Sequence, residues 1–112
     1  MSSLLHKLSN NQFCTTLELD PPHGPSIEKL MAQVKAIEHL IDGINIADCP
    51  MAKMRMSPIA VARLVQEQTT MQAIFHLTCR DRNLLGLQAE LLGAAGRGVK
   101  HILALTGDTP EQ

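Results

Sequence analysis

The sequence predicts an α/β fold built on a parallel sheet, with its elements in the order βαβαβαβ. Three observations predict it. Apolar runs of strand character alternate with amphipathic helical segments, and the strands recur at intervals of about 28 residues, close to the length of one βα unit. The strand cores are near-continuous apolar runs, as expected of strands covered on both faces. Polar residues gather where each strand ends. Such alternation implies parallel strands joined by right-handed crossovers.

The elements follow in order. A first strand is expected near 13–19, where Thr15 and Thr16 favour extended backbone. Pro21-Pro22 stops it, because proline lacks the N–H that a ladder needs. A helix is expected over 26–40, with Ser26 as N-cap and Ile27, Leu30, Met31, Val34, Ile37 and Ile41 forming one apolar stripe. Gly43 restarts the chain as a strand near 44–47, which Asp48-Cys49-Pro50 breaks. Ser57-Pro58 opens a second helix, with serine at the cap and proline at the first helical position. Its stripe of Ile59, Ala62, Leu64 and Val65 fades near Thr69. A third strand is expected near 72–77. Asn83 then caps a helix over 84–96, with Leu84, Leu87, Leu91 and Leu92 on one side and Gly96 and Gly98 at its end. A fourth strand near 101–105 runs into Thr106-Gly107-Asp108.

Two architectures suit this order: a flavodoxin-like open sheet and half of a TIM (β/α)8 barrel. Pattern alone does not separate them. No GxGxxG follows the first strand, which argues against a dinucleotide-binding Rossmann domain, and no GxxxxGK[ST] is present to make a P-loop.

Composition narrows the function classes. A formal charge of −1, with two Phe and neither Tyr nor Trp, offers nucleic acid neither a basic footprint nor stacking platforms. No apolar run approaches the roughly 20 residues needed to span a bilayer, and residues 1–11 hold no apolar core of a signal peptide. Cys14, Cys49 and Cys79 are odd in number and widely spaced, which suits reduced thiols in a cytoplasm better than a disulfide framework. His6, His23, His39 and His101 show no metal-ligand spacing, so no metal is expected.

The chemistry is expected at the carboxyl ends of the strands, where parallel folds bind their ligands. Glu18 interrupts an apolar strand, and Leu17 and Leu19 must face the side opposite to it. A carboxyl projecting into a barrel mouth would be partly desolvated and suited to general-acid work, and an ion pair with a neighbouring arginine is the plainer alternative. Asp48 either binds a ligand or shapes the turn before Pro50. Cys49 reads as a small buried residue rather than a nucleophile. His76 lies within an apolar strand, followed by the donors and acceptors of Arg80-Asp81-Arg82-Asn83, which also suit a salt-bridged loop. Thr106-Gly107-Asp108 sets a carboxylate beside a glycine whose backbone can approach a ligand closely, or forms a plain turn before Pro110.

The ordered set Glu18-Leu19-Asp20-Pro21-Pro22, Asp48-Cys49-Pro50, His76-Leu77-Thr78-Cys79-Arg80-Asp81-Arg82-Asn83 and Leu105-Thr106-Gly107-Asp108 resembles the methylenetetrahydrofolate reductase family. Leu91-Leu92-Gly93-Ala94 fits as well. The likeness spans 13–110. It implies that 1–112 form a single partial barrel domain, about half of a TIM (β/α)8 barrel. It further implies FAD at the strand ends, NAD(P)H as electron donor and a folate substrate, 5,10-methylenetetrahydrofolate, reduced to 5-methyltetrahydrofolate in one-carbon metabolism. By the same resemblance Glu18 matches the family's proton donor. Asp108 matches the carboxylate between flavin and folate, so Glu18 and Asp108 are the substrate-binding pair. His76, Thr106, Gly107 and Asp48 match positions along the flavin.

Two departures from the family pattern stand out. Where many members carry a Thr-Tyr-Gly-Ala-like segment after strand two, this chain has Ala47-Asp48-Cys49-Pro50. That resembles the Asp-x-Pro branch found beside methyltransferase domains or corrinoid systems, which makes such a protein an expected associate. The second departure is length, since a whole barrel takes about 250 residues. Half a barrel leaves two unpaired strand edges and one open apolar face. The chain is therefore expected to be a fragment, to pair as a homo-oligomer, or to be completed by a second chain. A truncated, non-catalytic folate- or flavin-binding assembly module that needs a partner is the alternative function.

Overall fold

The computed structural model describes residues 3–109, so Pro110, named above in the turn reading, lies outside the described residues. The elements are α1 (Ser3–Ser9), β1 (Thr16–Leu19), α2 (Glu28–Ile37), β2 (Gly43–Ile46), a tight turn at Pro50–Ala52, α3 (Pro58–Gln68), β3 (Gln72–Thr78), α4 (Leu84–Gly96) and β4 (His101–Leu105). All four strands are parallel and lie in the order β1-β2-β3-β4. This order decides between the two candidate architectures. A doubly wound sheet reverses its strand order at a switch point, whereas a barrel adds each new strand beside the last. The sheet is the half-barrel arrangement.

The strand period of two divides the sheet cleanly. Ile44 and Ile46 on β2 and Ala73, Phe75 and Leu77 on β3 point to the helices and are buried there with Leu30, Met31, Val34, Val61, Ala62 and Val65. Each large member of this layer stabilises the fold by about 2 kcal/mol. The intervening residues, among them Glu18, Asn45, His76 and Leu103, point to the opposite, concave face. Sheet register sets Glu18 beside Asn45, and His76 beside Leu103.

Several expectations need adjustment. The first strand begins at Thr16 rather than near 13, and Phe13 is fully outside the core. The second helix element, α2, begins at Glu28 with Ile27 at the N-cap position, and Ser26 only reaches the Glu28 N–H at 3.5 Å. Ser57 holds the N-cap position of α3, but its side chain makes no capping bond. Asn83 caps α4 as expected, its Oδ1 accepting from the Gly86 N–H at 2.7 Å. The α4 stripe is the largest departure. Leu84 and Leu92 are 72% and 75% exposed, and the helix meets the core through Ala94 and partly Leu87. The physical reason is position: β4 is an edge, so among the described residues no further βα unit covers that flank of α4.

Helix α1 was not anticipated. It closes the amino-terminal end of the sheet, where Leu4 is buried and its N–H donates to the Gln72 side chain at 3.2 Å. A Cβ at Gly43 would sit 3.3 Å from Leu4 Cδ2 and 3.3 Å from the Gln72 carbonyl, so glycine is what lets α1 dock here. Lys7 pairs with Asp42, which also accepts from the Thr15 N–H. Among the described residues no helix is long and apolar enough to cross a membrane.

Candidate functional site

The carboxyl ends of the strands border an open hollow of about 470 Å³, within the range of small-ligand sites. Glu18, Asp48, His76, Thr106, Gly107 and Asp108 all line it. The fold therefore gathers all six residues singled out from sequence. Ala47, Pro50, Leu103 and Leu105 give the hollow apolar walls.

On the concave face β1, β2 and β3 carry a polar row. The Asn45 Nδ2 donates to Thr16 Oγ1 at 2.8 Å, and its Oδ1 lies 3.2 Å from His76 Nε2. Because the amide oxygen can only accept, His76 donates through Nε2 and leaves Nδ1 toward Glu18, 3.8 Å from Oε1. The His76 side chain is only 7% exposed, so it is both a satisfied interior histidine and a wall of the hollow. Asn45 escaped the sequence reading. Its one signal was a polar residue between Ile44 and Ile46, at a phase that faces away from the helices.

Glu18 differs from expectation in one respect. Its side chain is 61% exposed, so the four strands do not half-bury it. Strand β1 has a neighbour on one side only, and the other flank is open. The neighbouring-arginine alternative for Glu18 is not what the fold builds, since the side chain it faces is His76.

The ends of β2 and β3 are locked together. Asp48 is buried, and its Oδ2 accepts from Arg82 Nη1 at 2.6 Å, from the Thr78 N–H at 2.9 Å and from Thr78 Oγ1 at 3.1 Å. Its Oδ1 accepts from Arg82 Nη2 at 3.2 Å. Burial opposes the charged form of Asp48 most strongly. The Arg82 guanidinium and the two Thr78 donors together outweigh it and hold the carboxyl below its ordinary value. The same bidentate bond to Asp48, opposed by burial, raises Arg82. Asp48 thus lines the hollow while both its oxygens are engaged by the protein. The turn-shaping and ligand-facing readings meet here, with the carboxylate committed to the first.

Between β2 and β4 the loops touch across β3. Asp108 Oδ2 accepts from the Met51 N–H at 2.6 Å. Arg80 donates from Nη1 to the Asp108 carbonyl at 3.1 Å and from Nη2 to the Cys49 carbonyl at 3.2 Å. Gly107 has φ +94°, and a Cβ there would lie 3.1 Å from the Cβ atoms of both Thr78 and Arg80, so glycine is required on both counts. Cys49, Met51 and Ala52 also hold positive φ values, of 42°, 58° and 57°. Three non-glycine residues so placed within four positions store strain, which persists only where surrounding contacts impose it. Cys49 is partly buried, with its thiol 3.8 Å from the Arg55 carbonyl, and all three cysteines are free. Among the described residues no three His, Cys, Asp or Glu side chains gather as metal ligands.

A sequential parallel sheet with its polar groups converging on the strand carboxyl ends is the architecture of a barrel-type α/β domain. The sequence profile of the family described as methylenetetrahydrofolate reductase matches residues 3–112. The chain belongs to that family, a family of oxidoreductases that are generally flavin-dependent. No curated protein sequence matches the chain.

Proposed function

We propose that these four strands supply half of a flavin- and folate-binding site that reduces 5,10-methylenetetrahydrofolate to 5-methyltetrahydrofolate, with NAD(P)H as electron donor. The observation that carries this reading is the convergence of Glu18, His76 and Asp108, from β1, β3 and the end of β4, on one hollow. The residues fit the ring end of a flavin. Leu103, Leu105 and Ala47 offer it apolar contact, and His76, Thr106 and the Gly107 backbone offer a few polar ones. When bound, FAD supplies hydride chemistry, accepting from the nicotinamide and donating to the one-carbon unit.

The chain's own residues then have separate tasks. Glu18, as a carboxylic acid, hands its proton to the ring nitrogen that leaves when the substrate's five-membered ring opens to an iminium ion. The Asp108 carboxylate stabilises the positive charge that develops on the pterin side. Asn45 fixes the His76 ring, and Leu103 and Leu105 give the hollow one apolar wall. Strands beside β1 and β4 complete the enclosure and desolvate Glu18, and the Asp-x-Pro segment at Asp48-Cys49-Pro50 fits association with a methyltransferase or corrinoid protein.

The test is anaerobic. The chain is titrated with FAD, reduced with NAD(P)H and mixed with 5,10-methylenetetrahydrofolate or menadione while flavin absorbance is followed. Reoxidation by the folate supports the reading. Flavin that binds and is never reoxidised by folate supports the non-catalytic binding module, a reading the open β1 and β4 edges favour. No flavin binding at all contradicts both.

A further inference from the structure

We propose that Arg80 is a positioning residue for Asp108, fastening the loop after β2 to the loop after β4 across the end of β3. Its role in catalysis rests on the function proposed above, but the placement itself does not.

The argument begins with the donors. The Arg80 side chain is only 11% exposed, and three of its nitrogens are directed. Nε meets Asp81 Oδ2 at 2.8 Å, which orients the guanidinium plane. Nη1 and Nη2 then reach carbonyls of two different loops, those of Asp108 and Cys49. These loops meet at one further hydrogen bond, from the Met51 N–H to the Asp108 carboxylate. The carboxylate therefore stands where two backbones hold it: its own chain through Arg80, and the Met51 amide through a segment that Arg80 also grips at Cys49.

That segment needs a grip. Cys49, Met51 and Ala52 all sit in the left-handed region, and left alone they would relax toward ordinary backbone angles. The Met51 amide would then turn away from Asp108. Gly107 supports the same conclusion from the other side, because its missing Cβ is what lets the β4 loop lie against the Arg80 stem. Lysine could not replace this arginine. An ammonium is a point donor, whereas two carbonyls on separate loops require the planar fork. Arg82 could not take over either, since both its terminal nitrogens are held by Asp48.

The experiment uses the isotope-labelled full chain without flavin, in wild-type and Arg80→Lys forms. Hydrogen exchange is read at the Met51 amide and, as a fold reporter, at the Phe75 amide. The Met51 proton shift is followed through the carboxyl titration. In the wild type the Met51 shift should track Asp108. In Arg80→Lys that tracking should vanish and Met51 exchange should quicken about tenfold or more, with Phe75 unchanged. A Met51 amide that behaves as in the wild type overturns the proposal. So does parallel acceleration at Met51 and Phe75, which would make Arg80 merely structural. If Arg80→Lys does not fold, the wild type decides alone. Its Arg80 Nη protons should be individually resolved and slow to exchange, and a freely rotating guanidinium overturns the proposal. In flavin-loaded protein, Arg80→Lys should slow folate reduction more than menadione reduction. The amide readings stand whether or not folate is reduced, so this inference and the proposed function fail separately.

Discussion

At the carboxyl ends of β2 and β3, Asp48, Thr78 and Arg82 satisfy one another in a buried knot, and His76 is held by Asn45. On the outer strands of the same sheet the groups stand open. Glu18 on β1 is mostly solvent-exposed, and Ile102, Leu103 and Leu105 on β4 are each more than 40% exposed. The difference follows from strand position rather than residue type. An inner strand has neighbours to bond and bury its side chains, and an edge strand must find them elsewhere. The bonded part of the site is therefore its middle, and Glu18, the proton donor proposed above, sits on the open edge.

Removing a partner from the closed region should have the largest effect on stability. Asp48→Asn leaves the Arg82 guanidinium without its counter-charge and should cost about 3 kcal/mol in urea unfolding, whereas Glu18→Gln at the open edge should change it by less than about 0.5 kcal/mol. Equal effects would erase the contrast. The next largest effect is expected at Gly107. Gly107→Ala forces a side chain into a left-handed position against Thr78 and Arg80, for a loss of about 1–2 kcal/mol by thermal unfolding.

Acid titration sharpens the comparison further. The folded Asp48 carboxyl lies below its ordinary value of 3.8, so the unfolded chain binds the proton first as pH falls. Its contribution is present in full above the unfolded value and is lost as pH drops through the folded one. Asp42, lowered by its Lys7 bond, acts with the same sign. Urea midpoints measured downward from pH 5 should fall more steeply for the wild type than for Asp48→Asn, by an amount that Asp42 does not supply. The smallest effect on the folded state belongs to β4. Leu103→Lys should change the unfolding free energy by less than about 0.5 kcal/mol yet reduce any self-association in sedimentation, because lysine blunts an exposed edge.

Most of the fold was legible because strands and helices write their period into the sequence. Ile44 and Ile46, or Val61, Ala62 and Val65, announce their faces without help from distant residues. That the six candidate residues line one hollow was legible for a related reason, since strand ends in a parallel fold point to one place. What stayed hidden depends on partners far along the chain. Asn45 acquires meaning only when register sets it beside Glu18 and His76. Arg80 and Arg82, two residues apart, take different partners, the Cys49 and Asp108 carbonyls for one and the Asp48 carboxylate for the other, which no spacing rule distinguishes. The leucines of α4 obey helical periodicity but lie beside an edge, so pattern suggested burial that position withholds.

The central claim is that Glu18 serves the folate half of the reaction and not the flavin half. The direct measurement is Glu18→Gln in the flavin-loaded protein, with NAD(P)H oxidation by menadione and by 5,10-methylenetetrahydrofolate compared side by side. Menadione turnover should persist while folate reduction falls by at least about a hundredfold. Loss of both activities together, or retention of folate reduction, would contradict it.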